Sequence, residues 1–197
     1  KVTLPIKTGY TATGSSYINS DGSINIDGII TRRNHMGASN DVTETINWTA
    51  STYTVTYNYN GATGGNTETS KNVTYNGKYG TLPSPTRVYT ISFDSNEGSE
   101  CEDQTATWNF DGWYSTVGNI HIIPDTQVTT ASNHNINATW SGGTTNLPTP
   151  TREGYKFEGW YVDYTLNNVN VDNNSVFNSD TTLYAKWTPI AYTVTYN

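Results

Sequence analysis

Along much of this chain apolar and polar residues alternate one by one. Tyr53-Thr54-Val55-Thr56-Tyr57-Asn58-Tyr59 alternates strictly and predicts a strand, because successive side chains of a strand point to opposite faces. Asn60-Gly61 and Gly64-Gly65 punctuate it, and Lys71-Asn72-Val73-Thr74-Tyr75 alternates again before Asn76-Gly77. The two runs predict a β-hairpin with a long loop. Val88 to Asp94 opens a second such strand with Asn96-Glu97-Gly98 as its turn, and Gln104 to Trp108 is placed to pair back on it. Leu183 to Trp187 reads as a short closing strand. Pro83 with Pro85, and Pro148 with Pro150, suit extended linkers, since proline cannot donate to a central ladder. No helical period lasts beyond two turns. A single helical turn is expected at most at Lys78-Tyr79-Gly80 or at Ser179 to Thr182.

The pattern repeats. Phe110-Asp111-Gly112-Trp113-Tyr114 returns as Phe157-Glu158-Gly159-Trp160-Tyr161, and each is followed by a closing tryptophan 27 residues after its own: Trp113 to Trp140, and Trp160 to Trp187. Trp48 is a third closing tryptophan. Leu82-Pro83-Ser84-Pro85-Thr86-Arg87 is nearly Leu147-Pro148-Thr149-Pro150-Thr151-Arg152, and Leu4 to Tyr10 looks like a shortened Leu147 to Tyr155. A longer cycle of 139 residues carries Thr54-Val55-Thr56-Tyr57-Asn58 to Thr193-Val194-Thr195-Tyr196-Asn197, and Trp48 to Trp187. Self-similarity at fixed spacing is the mark of a repeat architecture, and the chain is expected to be cut from a longer array. The reading divides it into a degenerate or truncated repeat at 1–50, a module at 51–140 with an insertion near 88–108, a shorter module at 141–188, and the start of the next repeat at 189–197. The second copy has only Ser141 to Asn146 between Trp140 and Leu147, and so no opening hairpin of its own. The insertion Val88 to Trp108 itself begins like an opening strand, so the two copies look interleaved.

Composition agrees with a mostly β chain. Leu is scarce, and the apolar weight lies in β-branched and aromatic residues, including six Trp and fifteen Tyr, which suit a pleated, half-buried surface. Small modules need such concentrated burial. The simplest reading of the signature is therefore structural: Trp48, Phe110, Gly112, Trp113, Tyr114, Trp140, Tyr155, Phe157, Gly159, Trp160, Tyr161, Tyr184 and Trp187 are expected to build the repeat cores.

These strings together resemble the Listeria–Bacteroides repeat, a relative of the B-repeat of internalin B. The resemblance rests on the T-V-T-Y-N strand, on Tyr75 to Arg87, on Gly154-Tyr155 with Phe157-Glu158-Gly159-Trp160-Tyr161, and on Thr182-Leu183-Tyr184-Ala185-Lys186-Trp187. It covers most of residues 51–197. It implies tandem small β-grasp-like modules with little helix, on secreted or wall-attached bacterial surface proteins, with no enzymatic activity, no cofactor and no catalytic residues to carry over.

Charge and chemistry narrow the rest. The net charge is −7 with no Lys/Arg cluster, so neither nucleic acid nor an anionic membrane is an expected partner. One cysteine, Cys101, excludes an internal disulfide and a thiolate metal cage. It lies between Glu100 and Glu102, whose charge disfavours a thiolate nucleophile. No apolar run reaches membrane-spanning length, and no signal peptide is read at the start. Asn19 to Gly28 has spaced oxygen side chains and glycines, as a Ca²⁺ loop does, but lacks its full ligand pattern; turn chemistry is the preferred reading. His35, His121 and His134 show no ligand spacing. Sequons occur at Asn47, Asn72, Asn137 and Asn173. Trp113 with Tyr114 and Asp111, or Trp160 with Tyr161 and Glu158, would serve as a sugar platform if the rings were exposed.

The expected function is a non-enzymatic stalk, spacer or adhesin region outside a bacterial cell, with neighbouring repeats as its partners. Two alternatives remain open: a module binding a host glycan or surface protein, and a self-assembling filament subunit whose Thr193 to Asn197 strand pairs with a neighbour.

Overall fold

The computed structural model describes residues 2–15, 18–24, 45–65, 67–167 and 170–196. Among these there are eleven strands and no helix: β1 (Tyr10–Gly14), β2 (Asn47–Ala50), β3 (Thr52–Asn58), β4 (Ser70–Thr74), β5 (Arg87–Asp94), β6 (Gln104–Ser115), β7 (His121–Ile122), β8 (His134–Gly142), β9 (Tyr155–Tyr161), β10 (Asn170–Val171) and β11 (Thr181–Pro189). Neither expected helical turn forms. Lys78 makes an isolated antiparallel bridge to Gln127 instead, and Ser179 sits in a bend. Backbone groups at Tyr79 and Gly80 donate to the Thr126 and Pro124 carbonyls, so they have no need of a helical partner.

The chain divides into two compact units, and it alternates between them. One is drawn from Lys1–Asn58, Glu68–Leu82 and Trp113–Asn137; the other from Tyr59–Thr67, Pro83–Gly112 and Ala138–Asn197.

In the first unit β3 pairs antiparallel with β4 (Tyr53↔Val73) and parallel with β8 (Val55↔His134 through Asn58↔Asn137), and the end of β6 pairs with β7 (Trp113↔Ile122). The strict alternation of Tyr53 to Asn58 places Val55 and Tyr57 inward. They join Val73, Tyr79, Trp113, Ile122, Val128 and Ile136 in the core. β1 and β2 form a separate two-stranded sheet, and Tyr10 packs edge-on against Tyr75 at 5.5 Å.

In the second unit β5 pairs antiparallel with β6 (Arg87↔Trp108) and parallel with β11 (Ile91↔Thr181 through Asp94↔Tyr184). β11 pairs antiparallel with β9 (Tyr155↔Pro189, Phe157↔Trp187), and β9 with β10. The core is Ile91, Ala106, Trp160, Phe177, Leu183 and Ala185, with Phe93, Leu147, Phe157, Val171 and Trp187 packed around it. Full burial of each large apolar side chain is worth about 1.5–3 kcal/mol.

The two hairpins and closing strands are the same design used twice. An opening strand (β3 or β5) lies between its hairpin partner and a parallel closing strand (β8 or β11). The two closing strands have identical burial patterns along their nine residues. The β1–β2 pair repeats part of this: Tyr10↔Ala50 and Ala12↔Trp48 match Tyr155↔Pro189 and Phe157↔Trp187 in register, each with an irregularity at the following glycine.

Candidate functional site

The repeated signature lies on β6 and β9. Gly112 (φ 126°) and Gly159 (φ 130°) have the same left-handed backbone, which L side chains rarely adopt. At Gly159 a Cβ would also come within 2.8 Å of the Asn170 side chain. The residue after each glycine is a tryptophan, and both are 2% exposed. Trp113 packs on Tyr57 at 5.0 Å and Trp160 on Phe93 at 4.7 Å. Tyr57 and Phe93 occupy equivalent places on the two opening strands. The Trp160 indole N–H donates to the Pro148 carbonyl at 2.7 Å, which gives the Leu-Pro-Thr-Pro linker its role: it caps the buried ring. With both indoles enclosed, no sugar can stack on either.

The signature phenylalanines meet the closing tryptophans in the same way twice, Phe110–Trp140 and Phe157–Trp187, each at 5.4 Å. Each closing indole N–H donates to a carbonyl at the end of its opening strand, Trp140 to Tyr59 at 3.1 Å and Trp187 to Ser95 at 2.8 Å. One residue later an asparagine side chain donates to the closing strand, Asn60 to Ala138 at 2.7 Å and Asn96 to Ala185 at 2.6 Å. Both asparagines take positive φ, 48° and 46°, a conformation asparagine tolerates better than most residues. Glu97 follows at φ 67°, and Arg152 holds its carboxylate.

The other expected residues have these places. Tyr114 is half-buried and stacks on His121 at 4.9 Å and 20°. Tyr155 lies under the Arg152 guanidinium at 4.0 Å, and Tyr161 under the Lys186 ammonium at 4.9 Å. Tyr184 opposes Tyr161 across β9 and β11 and is half-buried. Trp48 is half-buried, 5.9 Å from the Lys7 ammonium. Asp111 accepts from the Ser141 hydroxyl at 2.8 Å, and Glu158 pairs with Lys156 at 3.1 Å.

Sequence reasoning did not find a cavity of about 200 Å³ in the first unit. Tyr79, Ile122, Gln127, Thr130, His134 and Asn135 are among its lining residues. The His134 Nδ1 is 2.8 Å from the Ser132 carbonyl, which can only accept, so that nitrogen carries a proton. In the neutral ring Nε2 then accepts from the Tyr79 hydroxyl at 2.8 Å. Burial pushes the Tyr79 hydroxyl pKa above its ordinary value. Tyr79 and His134 are 55 residues apart with no motif linking them. Their counterparts in the second copy are Thr144 and Thr181, so the fold itself does not require the pair.

Cys101 is half-buried and accompanies the second core, and burial raises its thiol pKa. Burial, rather than the flanking glutamates, is the cause. In the stretch Asn19 to Gly28, read as turn chemistry in preference to a Ca²⁺ loop, Asp21 Oδ1 accepts from the Ser23 amide (2.8 Å) and hydroxyl (2.6 Å), a turn arrangement; residues 25–28 of that stretch, and His35, lie outside the described residues. Among the described residues no group of three or more His, Cys, Asp or Glu could hold a metal ion, and no helix is long and apolar enough to cross a membrane.

No curated protein and no solved structure matches the chain. Two segments that together carry the opening hairpin of the first copy and the signature and closing strand of the second, residues 53–88 and 137–186, match the family model of the Listeria-Bacteroides repeat domain.

Proposed function

We propose that this chain is a non-enzymatic repeat region of a bacterial surface or secreted protein, working as a stalk or spacer with neighbouring repeats as its partners. Each hairpin with its closing and signature strands is read as one β-grasp-like module. The observation that carries the reading is the enclosure of Trp113 and Trp160, each 2% exposed, with the closing-strand hydrogen bonds duplicated in both copies. The most distinctive residues are spent on packing, and packing is what a spacer needs from its sequence. The match to a repeat family of surface proteins supports the location outside the cell. A binding screen of the whole chain against a glycan array and host cells tests it. No saturable binding is expected; binding lost in a folded point variant overturns it.

Glycan binding is the second reading, favoured by the cavity beside Tyr79 and His134, whose hydroxyl and amide lining suits a polar ring. Tyr79→Phe and His134→Gln would then abolish any binding found in that screen. Self-assembly has its own observation. Tyr53 to Asn58 and Tyr192 to Asn197 are the same hexapeptide. Val55 and Tyr57 are buried, whereas Tyr192, Val194 and Tyr196 are 70–89% exposed. Concentration-dependent oligomers that vanish on deleting 191–197 would favour it.

A further inference from the structure

We infer that Gly154 and Tyr155 form a docking socket for a following repeat, and that its occupant is the hairpin end of that repeat, a tyrosine and asparagine of the kind seen at Tyr75-Asn76. The inference deepens the stalk reading and rests on it, because it names the surface by which one repeat holds the next.

The first unit shows such a socket filled. Gly9 has φ 78°, and its carbonyl accepts from the Ser51 amide at 2.9 Å. The Tyr10 amide donates to the Lys7 carbonyl at 3.0 Å, and the Lys7 ammonium lies 4.2 Å over the Tyr10 ring. On this platform sits the end of the β3–β4 hairpin. The Tyr75 ring covers Gly9 so closely that a Cβ there would come within 2.3 Å of it, an approach that only glycine allows. The ring meets Tyr10 edge-on, the Asn76 side chain donates to the Tyr10 hydroxyl at 2.5 Å, and the Tyr75 amide donates to the Ser51 carbonyl at 2.9 Å. Ser51 is the single residue between β2 and β3. The contact therefore bridges the joint between one repeat and the next, and in a repeat array such nearest-neighbour contacts are what couple the units.

The second unit carries the same platform. Gly154 has φ 76°, and its carbonyl accepts from the Ile190 amide at 2.8 Å. The Tyr155 amide donates to the Arg152 carbonyl at 3.1 Å, and the Arg152 guanidinium lies 4.0 Å over the Tyr155 ring. What differs is the cover. Gly9 is buried, whereas Gly154 is half-buried, and among the described residues nothing lies within 4 Å of a Cβ built on it. Ile190, which stands where Ser51 does, is 44% exposed.

The direction of the chain says what comes to this platform. Ser51 leads through Thr52 into Tyr53–Asn58, and the hairpin returns Tyr75 to Ser51. Ile190 leads through Ala191 into Tyr192–Asn197, the same hexapeptide at the same spacing. A hairpin opened by that strand brings its own counterpart of Tyr75 back over Gly154. The chain uses an aromatic ring on a glycine in this way a second time: the ring of Trp108, at the end of the β5–β6 pairing, lies against Gly143 just after β8, where a Cβ would come within 2.2 Å of it.

The experiment uses a tandem chain. Because Tyr192–Asn197 repeats Tyr53–Asn58, joining residues 59–197 directly after Asn197 continues the cycle without a seam. Thr8 and Glu153 precede the two glycines, and both are exposed, as is Lys78. In a Cys101→Ala background, spin labels on Thr8→Cys and Lys78→Cys of the single chain calibrate the filled socket by electron paramagnetic resonance. Labels on Glu153→Cys and on Lys78→Cys of the appended copy should give the same narrow distance in the tandem. Gly154→Asn supplies the Cβ, and asparagine accepts a positive φ at little cost. It should hardly move the melt of the single chain, where the space is open, and should broaden the tandem distance by evicting the ring. Gly9→Asn should broaden the Thr8–Lys78 distance of the single chain in the same way. A broad distance in the parent tandem, or a narrow one that survives Gly154→Asn, would overturn the inference. Labels on Lys78→Cys and Asp125→Cys of the appended copy, an ion pair in the structure, should stay narrow throughout and show that copy folded; a broad distance there also counts against docking, because a docked hairpin is an ordered one. Failure of the stalk reading would show as ligand binding in the screen, which leaves these distances unchanged.

Discussion

Trp160→Ala removes the largest wholly enclosed side chain of the second core. Truncating a buried Trp to Ala costs about 3–5 kcal/mol, from lost transfer energy and from the cavity left behind. The ring touches Phe93 at 4.7 Å and Phe157 at 5.5 Å, both on strands locked into the sheet, so the site has little freedom to collapse. The Pro148 carbonyl also loses its 2.7 Å donor, and a stranded buried acceptor costs about 1–3 kcal/mol unless water reaches it. The linker is partly exposed, so water relieves most of this, and a total near 4–5 kcal/mol is expected. Against a stability of about 5–15 kcal/mol this is a large fraction. Equilibrium urea unfolding followed by far-UV circular dichroism measures it. With a slope of about 2–3 kcal/mol/M, the midpoint should fall by about 1.3–2.5 M. Trp113→Ala should cost about the same, within ~1 kcal/mol, because Tyr57 stands where Phe93 does. A folded Trp160→Ala that loses under ~1 kcal/mol would refute the reasoning and return the ring to the list of ligand platforms.

Further outcomes follow from the same geometry. Gly159→Ala forces a side chain into φ 130° and against Asn170, costing about 1–3 kcal/mol, so a thermal melt should fall by roughly 3–10 °C. Asn96→Ala removes the 2.6 Å bond to the Ala185 carbonyl and the side chain that suits φ 46°; it should cost about 1–2 kcal/mol, and Asn60→Ala should match it, as chemical denaturation of both variants will test. Tyr79, with its pKa raised by burial, favours folding fully below the ordinary tyrosine pKa of about 10, and that contribution is lost as pH rises through the higher folded value. The alkaline limb of the stability profile should therefore be flatter in Tyr79→Phe, while one tyrosine of the parent titrates late in ultraviolet absorbance.

The strands were legible because a period of two leaves little choice. Tyr53 to Tyr59 alternates, and β3 covers nearly the same residues with Val55 and Tyr57 inside. The repeat offsets were legible for the same reason: identical packing demands identical residues at Trp113 and Trp160. β6 was harder. Gln104 to Trp108 and Phe110 to Tyr114 read as parts of two copies, and the structure joins them in one twelve-residue strand. Only Asn109 separates them, and no proline or glycine breaks the run before Gly112. The short strands β7 and β10 have two residues each, too few to show a period. The Tyr79–His134 pair depends on the register of a parallel crossover, which no local pattern records.

The alternation of segments between units also sets a schedule for synthesis. β5 takes its parallel partner from β11, with Ile91 opposite Thr181, so the hairpin of β5 and β6 leaves the ribosome long before the strand that shields it. At about 5–20 residues per second, the stretch between the end of β6 at Ser115 and the start of β11 at Thr181 takes roughly 3–13 s. Through that interval the apolar face of Ile91 and Ala106 has no cover from Leu183 or Ala185. A chain built this way spends its most sticky moments half-made, and its yield in a cell depends on what keeps neighbouring nascent chains apart.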